Sequence, residues 1–457
     1  MQPFISRNIF KLQERILGRP SFQILAELFQ SERWPLGRIQ QLQLDRLQKT
    51  IRSAYRHTSY WRKLMGEQKI RPSEIQTLAD LQRFPLLDKN TLRERREEMV
   101  WRDEGKRLQL VRTSGSTNEA LEFYTSSTRE AHINAARMRG HEWLGIRRGE
   151  KELYYWGSPV ELSKQDRIKR FRDWLINDGL TNGFEVTPQR LKKNFLSWLG
   201  WQPQCIFGYP STFVLTVTMA GSLGLDLTAL KRRGLKVIIT TSEMLSDVDR
   251  QLIADGFGVP VYDSYGLREA GLIGHECDQG AMHCMDEQVI LETIDPETLA
   301  PTDGQGELVV TNIVGPAFPV IRYRTGDIVT LSTEPCSCGR SLSRIQISGG
   351  RAVEFIVTKA GKWVVGYSFI YIARSVKGIV KFQVVQEKIG EILIQLVVDH
   401  RFPKDGSDQV RKKAAQRLGG DDDIIVKIVD DIKPVRSGKY RPVISKVAEE
   451  LYQKRNF

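Results

Sequence analysis

The chain has 457 residues, of which 40% are hydrophobic and 27% are charged, a composition ordinary for a globular protein of two or three domains. The sequence contains no apolar run of about eighteen residues, and no long apolar segment follows the first basic residues, so neither a transmembrane helix nor a secretory signal is expected. The formal net charge is +13.

Much of the positive charge lies in residues 1–64, which hold twelve Lys or Arg and four Asp or Glu. A basic segment of this kind attracts nucleic acid, anionic lipid or a nucleotide-like substrate, but it is equally typical of a solvated helical surface. No zinc-finger, RNA-recognition or helix-turn-helix signature accompanies the charge, so specific nucleic-acid binding is not expected. Weak association with a membrane surface through this basic N-terminal segment stays open.

The cysteines are few, odd in number and scattered, which argues against a disulfide scaffold and for a reducing compartment such as the cytoplasm. They are Cys205, Cys277, Cys284, Cys336 and Cys338.

The first 100 residues are predicted to be mostly helical, because apolar residues recur at helical spacing from Ile39 to Tyr55 and Asp88 is a candidate N-cap for a helix over Lys89–Met99. From residue 107 onward, predicted strands alternate with predicted helices, a pattern that indicates a largely parallel α/β sheet covered on both faces. The strands are predicted at 107–110, 151–157, 205–208, 235–240 and from 260, and the helices from about 128, at 189–199, 212–223 and 248–255.

After about residue 285, short strands broken by Gly, Pro and Asp predict a β-rich subdomain over 285–350, with strands at 289–293, 306–313 and 327–331. A domain boundary is predicted near residue 350. Beyond it, a hairpin at 380–386 and 391–398, a helix at 409–418, a strand at 424–432 and a helix at 445–454 indicate a small α+β domain. The fold class is therefore α/β, with a large N-terminal domain over 1–350 and a small C-terminal domain over 351–457.

A loop rich in hydroxyl and glycine residues follows the first predicted strand. Its backbone N–H groups and hydroxyls can fold around an anion, although no Gly-Lys-Ser/Thr follows as in a P-loop. Alone, such a cluster is more typical of a solvated turn between a strand and a helix. The loop consists of Thr113, Ser114, Gly115, Ser116 and Thr117.

Two further motifs present a carboxylate. Residues 263–269, Asp-Ser-Tyr-Gly-Leu-Arg-Glu, end a predicted strand, where an α/β sheet places its ligand. There Tyr265 can stack on a base, Gly266 permits close approach, and Glu269 can hold Mg²⁺ beside phosphates. A Tyr-Arg-Thr-Gly-Asp motif predicts Asp327 in a tight turn, where it can accept both hydroxyls of a ribose. Each motif is also compatible with an ordinary surface turn.

The last two motifs lie at the predicted boundary and in the small domain. A Gly-Arg pair that ends at Arg351, followed by Glu354, suits a hinge, and the guanidinium can reach a phosphate or ribose. Lys439, presented by a Ser-Gly turn, can stabilise negative charge on a transferring group. Alone, that stretch is more typical of a solvated basic loop.

In this order, the motifs resemble those of the adenylate-forming enzymes. The similarity covers roughly residues 80–445. The compact length and the motifs at 112–117 and 208–211 make the similarity closest to the phenylacetate–CoA ligase-like branch. That branch includes members associated with capsular polysaccharide.

The resemblance implies an acid–thiol ligase that activates a carboxylic acid with MgATP to an acyl-adenylate, releases pyrophosphate and passes the acyl group to a thiol, usually coenzyme A. It also implies that a mobile small domain carries a catalytic lysine and swings about a hinge near Glu354. By position, the resemblance assigns the β- and γ-phosphates to the Thr113–Thr117 loop and the border of adenine to Ser242 and Glu243. Tyr265, with Asp263 and Gly266 in the same motif, stacks on adenine, while Glu269 binds Mg²⁺ and Asp327 binds the ribose. Arg351 reaches the ribose or a phosphate, and Lys439 bridges the acid and the α-phosphate. Lys439, Glu269 and Thr113 are the implied catalytic residues.

Four positions depart from the family pattern and bear on the rate, the pyrophosphate pocket and the acceptor step. They are Asn118, Ala120, Arg268 and Val353.

Three thiols and one imidazole form a candidate structural zinc site. Ligands of these types suit tetrahedral zinc with no open position for catalysis, and the phenylacetate–CoA ligase-like branch shows a similar arrangement. Cys284 is a competing ligand, and Cys205 is expected to pack in a buried strand. The predicted ligands are Cys277, His283, Cys336 and Cys338.

Two other functions stay open: an amide-forming ligase that passes the acyl group to an amine, and a nucleotide-binding homologue without turnover. The intact Lys439, Glu269 and Asp327 disfavour the second. The sequence names neither the acid nor whether the acceptor is coenzyme A, a carrier protein or an amine. Four aromatic residues suit a pocket for an aromatic or apolar acid and equally suit core packing, namely Tyr154, Trp156, Phe207 and Tyr209.

Overall fold

A computed structural model describes residues 1–103, 108–112, 121–156, 167–183, 186–349, 355–361, 363–365, 368–433, 441–448 and 450. The first 100 residues are helical, as predicted. Their helices are α1 (Pro3–Ile16), α2 (Ser21–Ser31), α3 (Leu36–His57), α4 (Ser59–Glu67), α5 (Lys89–Glu94) and α6 (Arg96–Met99), with 3₁₀ turns at Pro72–Glu74 and Leu78–Arg83.

Two details of these helices follow from local geometry. Asp88 caps α5 as predicted, because its side chain accepts a hydrogen bond from the backbone N–H of Thr91 at 2.7 Å. The single helix predicted over 89–99 is wrong, because Arg95 has ψ 11° and interrupts it after Glu94. Within the described residues, no helix has both the length and the apolar character needed to cross a bilayer.

Residues 109–267 form strands and helices. The elements are β1 (Gln109–Arg112), β2 (Glu122–Thr125), α7 (Ser127–Trp143), β3 (Glu152–Trp156), α8 (Arg167–Leu175), β4 (Asp178–Asn182), α9 (Pro188–Trp201), β5 (Cys205–Gly208), α10 (Pro210–Ser222), α11 (Ala229–Arg232), β6 (Val237–Thr241), α12 (Asp247–Phe257) and β7 (Val261–Leu267). From β2 to β7 the chain passes between strands and helices, as predicted, whereas β1 and β2 are consecutive strands.

The next strands extend the same sheet and are not a separate one. They are β8 (Gly271–Glu276), β9 (Met282–Cys284), β10 (Val289–Ile294), β11 (Gln305–Asn312), β12 (Tyr323–Ser332) and β13 (Arg344–Gly349). Among the described residues, the central sheet has eleven strands in the order β10-β11-β12-β13-β9-β8-β7-β6-β5-β3-β4. Neighbouring strands are parallel along the part of the sheet formed by β4, β3, β5, β6 and β7. The other pairings in this sheet are antiparallel, so the sheet is mixed.

The two faces of the parallel half are covered by different helices, because successive side chains of a strand point to opposite faces. In β3, the ring of Tyr155 packs against Trp198 of α9 and Phe213 of α10, with centroids 4.9 and 5.8 Å apart. The neighbouring Tyr154 faces the other side, where the guanidinium of Arg137 in α7 lies 5.7 Å from its ring. A sheet covered on both faces is therefore confirmed.

The C-terminal part has its own sheet and core. Its elements are β14 (Phe355–Val357), β15 (Trp363–Val365), α13 (Ser368–Arg374), β16 (Ile379–Lys388), β17 (Glu391–Val398), α14 (Gly406–Leu418), β18 (Asp423–Ile428) and β19 (Val443–Ser445). The four-stranded sheet has the order β18-β17-β16-β19, with β16 and β17 forming the predicted hairpin. The strand predicted to reach residue 432 ends at Ile428. The helix predicted from residue 445 begins just after β19, and its last residues lie outside the described ones.

A buried ion pair ties α7 to the chain between β9 and β10. Arg139 donates from Nη1 to Oε1 of Glu287 at 2.6 Å and from Nη2 to Oε2 at 3.0 Å, and both side chains are at most 1% exposed. Ser31, at the end of α2, also donates to Glu287, at 2.6 Å. The pair therefore joins the helical lead-in to the central sheet.

We expect Glu287→Gln to lower the free energy of unfolding by roughly 3 kcal/mol, because it leaves the Arg139 charge buried without a carboxylate. Denaturant unfolding followed by circular dichroism measures the change. The control is Asp226→Asn, which breaks an ion pair with Arg232 whose side chains are both more than half exposed. Equal effects of the two substitutions would contradict the importance of the buried pair.

Candidate functional site

Part of the predicted site lies outside the described residues, namely Thr113, Ser114, Gly115, Ser116, Thr117, Asn118, Ala120, Arg351, Val353, Glu354 and Lys439. The structure describes both flanks of the first loop, where β1 and β2 pair antiparallel and Arg112 lies opposite Glu122. The predicted passage from strand directly to helix is wrong, because β2 comes before α7.

Two predicted motifs meet through a reciprocal pair of hydrogen bonds. The hydroxyl of Tyr265, in β7, donates to Oδ2 of Asp327, in β12, at 2.6 Å. The hydroxyl of Tyr323, also in β12, donates to Oε1 of Glu269, in the turn after β7, at 2.9 Å. Each motif supplies one tyrosine and one carboxylate to these crossed pairs (Tyr265–Asp327 and Tyr323–Glu269). Tyr323 belongs to the sequence motif that ends at Asp327, four residues later, but no role was predicted for it.

The crossed pairs lie beside a buried arginine that the sequence did not single out. Arg129, in α7, donates from Nη2 to the backbone carbonyl of Arg268 at 2.7 Å. Burial lowers the pKa of Arg129 to about 10, and the carboxylates of Glu130 and Glu269 oppose that shift. Arg268 in turn donates from Nη1 to the carbonyl of Arg112 at 3.3 Å. This departure from the family pattern therefore links the Glu269 turn to the strand that leads into the predicted phosphate loop.

Asp327 lies on a bulged strand and not in the predicted tight turn. The pairing of β11 with β12 shifts register between Glu307 and Val309, and Gly326 has φ 77°. The buried carboxylate of Glu307 accepts from Nη2 of Arg324 at 2.6 Å and from the backbone N–H of Gly326 at 3.2 Å. These bonds hold the bulge and set the direction of Asp327.

Asp263 is buried at the centre of the sheet. Thr240 donates to its Oδ1 at 2.7 Å, and its own N–H donates to Glu276 at 2.7 Å. Burial, followed by repulsion from Glu276, raises the pKa of Asp263 to about 7, although Thr240 and Arg250 act in the opposite direction. The bidentate pair between Arg250 and Glu276, at 2.8 and 2.7 Å, keeps that second carboxylate in place.

Three other predicted residues lie at the same edge of the parallel strands. Ser242 directly follows β6 with φ 68°, a left-handed conformation that is uncommon for a residue with a β-carbon. Glu243 accepts at Oε2 from the backbone N–H of Ser211 at 3.1 Å, at the N-terminus of α10. A β-carbon at Gly266 would lie 2.8 Å from the carbonyl oxygen of Gly271, so the close approach that this glycine permits within the described residues is to β8.

The four candidate pocket aromatics form one cluster beside α7. The ring of Trp156 stacks on Tyr209 and on Phe207, with centroids 4.3 and 5.9 Å apart, and Tyr154 meets Phe207 at 5.8 Å. Tyr154, Trp156 and Phe207 are only partly buried. The cluster therefore presents apolar ring surface that can contact an aromatic or apolar group.

The candidate metal ligands converge, since the ligand atoms of Cys277, His283, Cys336 and Cys338 all lie within 4.8 Å of one another. Nδ1 of His283 lies 3.1 Å from the carbonyl of Leu342 and Nε2 lies 3.2 Å from Sγ of Cys338, so the ring directs one nitrogen towards the cluster while the backbone orients the other. Three sulfurs and one nitrogen fit a closed tetrahedral site, and zinc as its occupant stays a prediction. Cys284 follows His283 in β9 and packs in a separate apolar cluster, so it is not the fourth ligand of this group.

Comparisons with known proteins identify the fold. The chain resembles a 2-hydroxyisobutyryl-CoA ligase solved in the postadenylation state with a bound adenylate: the TM-score is 0.73 at 19% identity, and the match covers 93% of this chain and 94% of the other. The chain has the fold of the adenylate-forming acyl-CoA ligases. The same ligase in its thioesterification state, with an adenylate and coenzyme A, gives a TM-score of 0.61 at 20% identity over similar lengths.

Sequence comparisons agree with this fold. The protein CapK of Staphylococcus aureus is 21% identical over 413 residues, 89% of each chain. A phenylacetate-coenzyme A ligase of Thermus thermophilus is 25% identical over 345 residues, 72% of this chain and 74% of its own. Residues 356–446 match the model of the CapK C-terminal domain. The resemblance to the phenylacetate–CoA ligase-like branch is thereby confirmed.

We expect the protein, purified without chelators or added metal, to carry about one equivalent of zinc by elemental analysis. Cys338→Ser should lower that content and destabilise the surrounding fold, because the ion contributes folding free energy through its ligands. Cys284→Ala is the matched control and should retain the metal. Less than about a tenth of an equivalent in the parent protein would contradict the assignment.

We expect Asp263 to make the folded state lose stability as the pH rises between about pH 5 and pH 7. Its pKa is about 7 when folded and 3.8 as an ordinary value, so the folded state retains a proton that the unfolded chain has already released. The free energy of unfolding of the parent should therefore fall relative to that of Asp263→Asn, by about 1.4 kcal/mol per pH unit at most. Asp303→Asn, at an exposed site, should follow the parent. Parallel profiles for the parent and Asp263→Asn would refute the shifted pKa.

Proposed function

We propose that the protein activates a carboxylic acid with ATP and passes the acyl group to a thiol, coenzyme A being the first candidate. A carboxylate oxygen of the acid bonds to the α-phosphorus as pyrophosphate leaves, and the thiol then bonds to the acyl carbon as AMP leaves with release of the thiol proton. The observation that carries the proposal is the crossed pairs, because they join two distant motifs whose residues are proposed to stack on the base, bind the ribose and hold magnesium. The relatives named as CoA ligases support the class, an acid–thiol ligase that forms AMP.

The nucleotide would lie where β6 and β7 end. Tyr265 would stack on adenine, bordered by Ser242 and Glu243, while Asp327 would accept the ribose hydroxyls. The remaining contacts proposed are Asp263 and Gly266 beside the base and Thr113, Ser114, Gly115, Ser116 and Thr117 around the β- and γ-phosphates. Since Tyr265 and Asp327 are already hydrogen-bonded, the aromatic face and the carboxylate are oriented before any ligand arrives.

Magnesium is the proposed partner of Glu269. When bound, the cation would neutralise charge on the phosphates. The carboxylate is buried and its Oε1 accepts a hydrogen bond from Tyr323, so its orientation is fixed before a cation arrives.

The small domain would supply Lys439, and Arg351 would reach the ribose or a phosphate. We propose a boundary that separates 1–350 from 351–457, with Glu354 at the hinge. The unequal TM-scores against two states of one ligase are compatible with a family whose domains adopt different arrangements in the two half-reactions. The acid would contact the aromatic cluster of Tyr154, Trp156, Phe207 and Tyr209, which favours an aromatic or otherwise apolar acid.

Two alternatives use the same site: transfer to an amine or a carrier protein, and nucleotide binding without turnover. Neither has a specific observation in its favour, whereas four relatives are named phenylacetate-coenzyme A ligases. Pyrophosphate release separates an enzyme from a binding protein, and acceptor assays separate the ligases. A cytoplasmic location is proposed from the free cysteines alone.

The decisive experiment is a screen of carboxylic acids for ATP-dependent pyrophosphate release, followed by product analysis with coenzyme A, carrier protein or amines. An acid-dependent signal with thioester formation supports the proposal. Nucleotide binding without pyrophosphate release from any acid in a panel of aliphatic, aromatic and hydroxy acids would favour the non-catalytic alternative.

We expect Lys439→Ala to lower the rate of adenylation by about a hundredfold or more, because it removes a positive charge from the displacement at phosphorus. It should spare thioester formation from a supplied acyl-adenylate. Asp327→Ala should instead raise the KM for ATP, by about tenfold or more, through loss of charge-assisted hydrogen bonds. Lys433→Ala, at an exposed position in the same domain, is the control. Near-normal pyrophosphate release by Lys439→Ala would show that this lysine is only a solvated charge.

A further inference from the structure

Helix α1 has apolar side chains on its outer face as well as its inner one. Ser6, Phe10 and Glu14 are buried, as expected for a helix that packs on one side. On the other side, four large apolar residues are exposed, where a surface helix normally carries polar groups: Phe4 at 77%, Ile5 at 44%, Leu12 at 57% and Ile16 at 68%. Ile5, Leu12 and Ile16 recur at helical spacing, so they form one stripe.

The charge on that outer face is of one sign. Lys11 and Arg15 are exposed on α1. Glu14 is the single acidic residue of the helix, and it is buried, where it accepts hydrogen bonds from Ser21 and Asn134. The apolar stripe is therefore accompanied by positive charge and by no carboxylate of its own helix.

A second exposed apolar pair lies next to α1. In α8, Phe171 and Trp174 are 61% and 52% exposed, and their rings stack with centroids 5.9 Å apart. Arg170 and Arg172 are exposed beside them, although Arg172 pairs with the neighbouring aspartate. Exposed stacked aromatics among arginines are costly in water and unexplained by packing within the described residues.

The ends of the two helices are in contact. Asn177, just after α8, donates from Nδ2 to the carbonyl of Met1 at 3.1 Å and from its backbone N–H to the carbonyl of Trp174 at 3.3 Å. Phe10 of α1 and Ile176 belong to one buried cluster. The chain at the N-terminus of α1 and the chain at the C-terminus of α8 are thus in contact.

We propose that this basic–apolar surface (Phe4, Ile5, Lys11, Leu12, Arg15 and Ile16 of α1, with Arg170, Phe171, Arg172 and Trp174 of α8) docks on an anionic lipid bilayer. Helices that lie in a bilayer interface combine an apolar stripe with Lys and Arg, and aromatic rings settle at the level of the headgroups. The excess of basic over acidic residues in 1–64 selects an anionic surface. Docking is independent of the proposed ligase activity and would place that activity beside a membrane.

Flotation with lipid vesicles tests the proposal on the full chain and needs no turnover. The protein should float with vesicles of phosphatidylcholine mixed with phosphatidylglycerol about tenfold more than with phosphatidylcholine alone, and added salt should weaken the binding. Leu12→Ser with Ile16→Ser should reduce binding about tenfold, and Phe171→Ser with Trp174→Ser should do so separately. Lys11→Glu with Arg15→Glu should abolish the preference for phosphatidylglycerol.

The matched control is Ile425→Ser with Ile428→Ser, two exposed apolar residues of β18 at 56% and 57% exposure, which should leave binding unchanged. Circular dichroism and thermal unfolding establish that each variant is folded. The proposal is overturned if the parent does not float with anionic vesicles, or if the β18 pair lowers binding as much as the α1 pair. It is also overturned if the parent self-associates in sedimentation and the α1 pair abolishes that association without any lipid binding, since the surface would then join two copies of the chain.

Discussion

Strand β7 pairs in parallel with β6 on one side and antiparallel with β8 on the other, so the central sheet changes direction at this strand. The reversal obliges the chain to turn immediately after β7, and Glu269 lies in that turn. Asp263 and Tyr265 come from the strand itself. The crossed pairs then tie the strand and its turn to β12, which is not its neighbour in the sheet. The crossed pairs of Tyr265, Glu269, Tyr323 and Asp327 depend on this one change of strand direction.

Much of the architecture was predictable because it is local. The strand at 205–208 was predicted to the residue, since a short apolar run next to helical periodicity leaves few alternatives. Features set by distant residues could not be predicted in this way. The bulge that carries Asp327 depends on the Glu307 carboxylate in another strand, whereas the local Gly-Asp pair alone indicated a turn. The Arg139–Glu287 pair joins residues 148 positions apart, and no pattern in the sequence relates them.

The candidate site was predicted from the order of its motifs along the sequence, and the structure adds the hydrogen bonds between their side chains. Tyr323 and Arg129 became visible only as partners of Glu269 and Arg268, because their contacts require the folded sheet. The metal ligands illustrate the same limit. Residue types and the family resemblance predicted Cys277, His283, Cys336 and Cys338 with Cys284 as a competitor. Excluding Cys284 needed the folded sheet, in which that side chain packs in a separate apolar cluster and Arg344 of β13 lies opposite His283.

Strand β8 has one end at the Glu269 turn and the other at Cys277, and its six residues span about 20 Å. Under the two metal assignments, a hard cation held by oxygen and a soft one held by sulfur would sit at opposite ends of one strand. Thiolate and imidazole ligands do not suit magnesium, so zinc and magnesium would act on different parts of the protein. A shortage of zinc would destabilise the fold, whereas a shortage of magnesium would slow the chemistry of a folded protein.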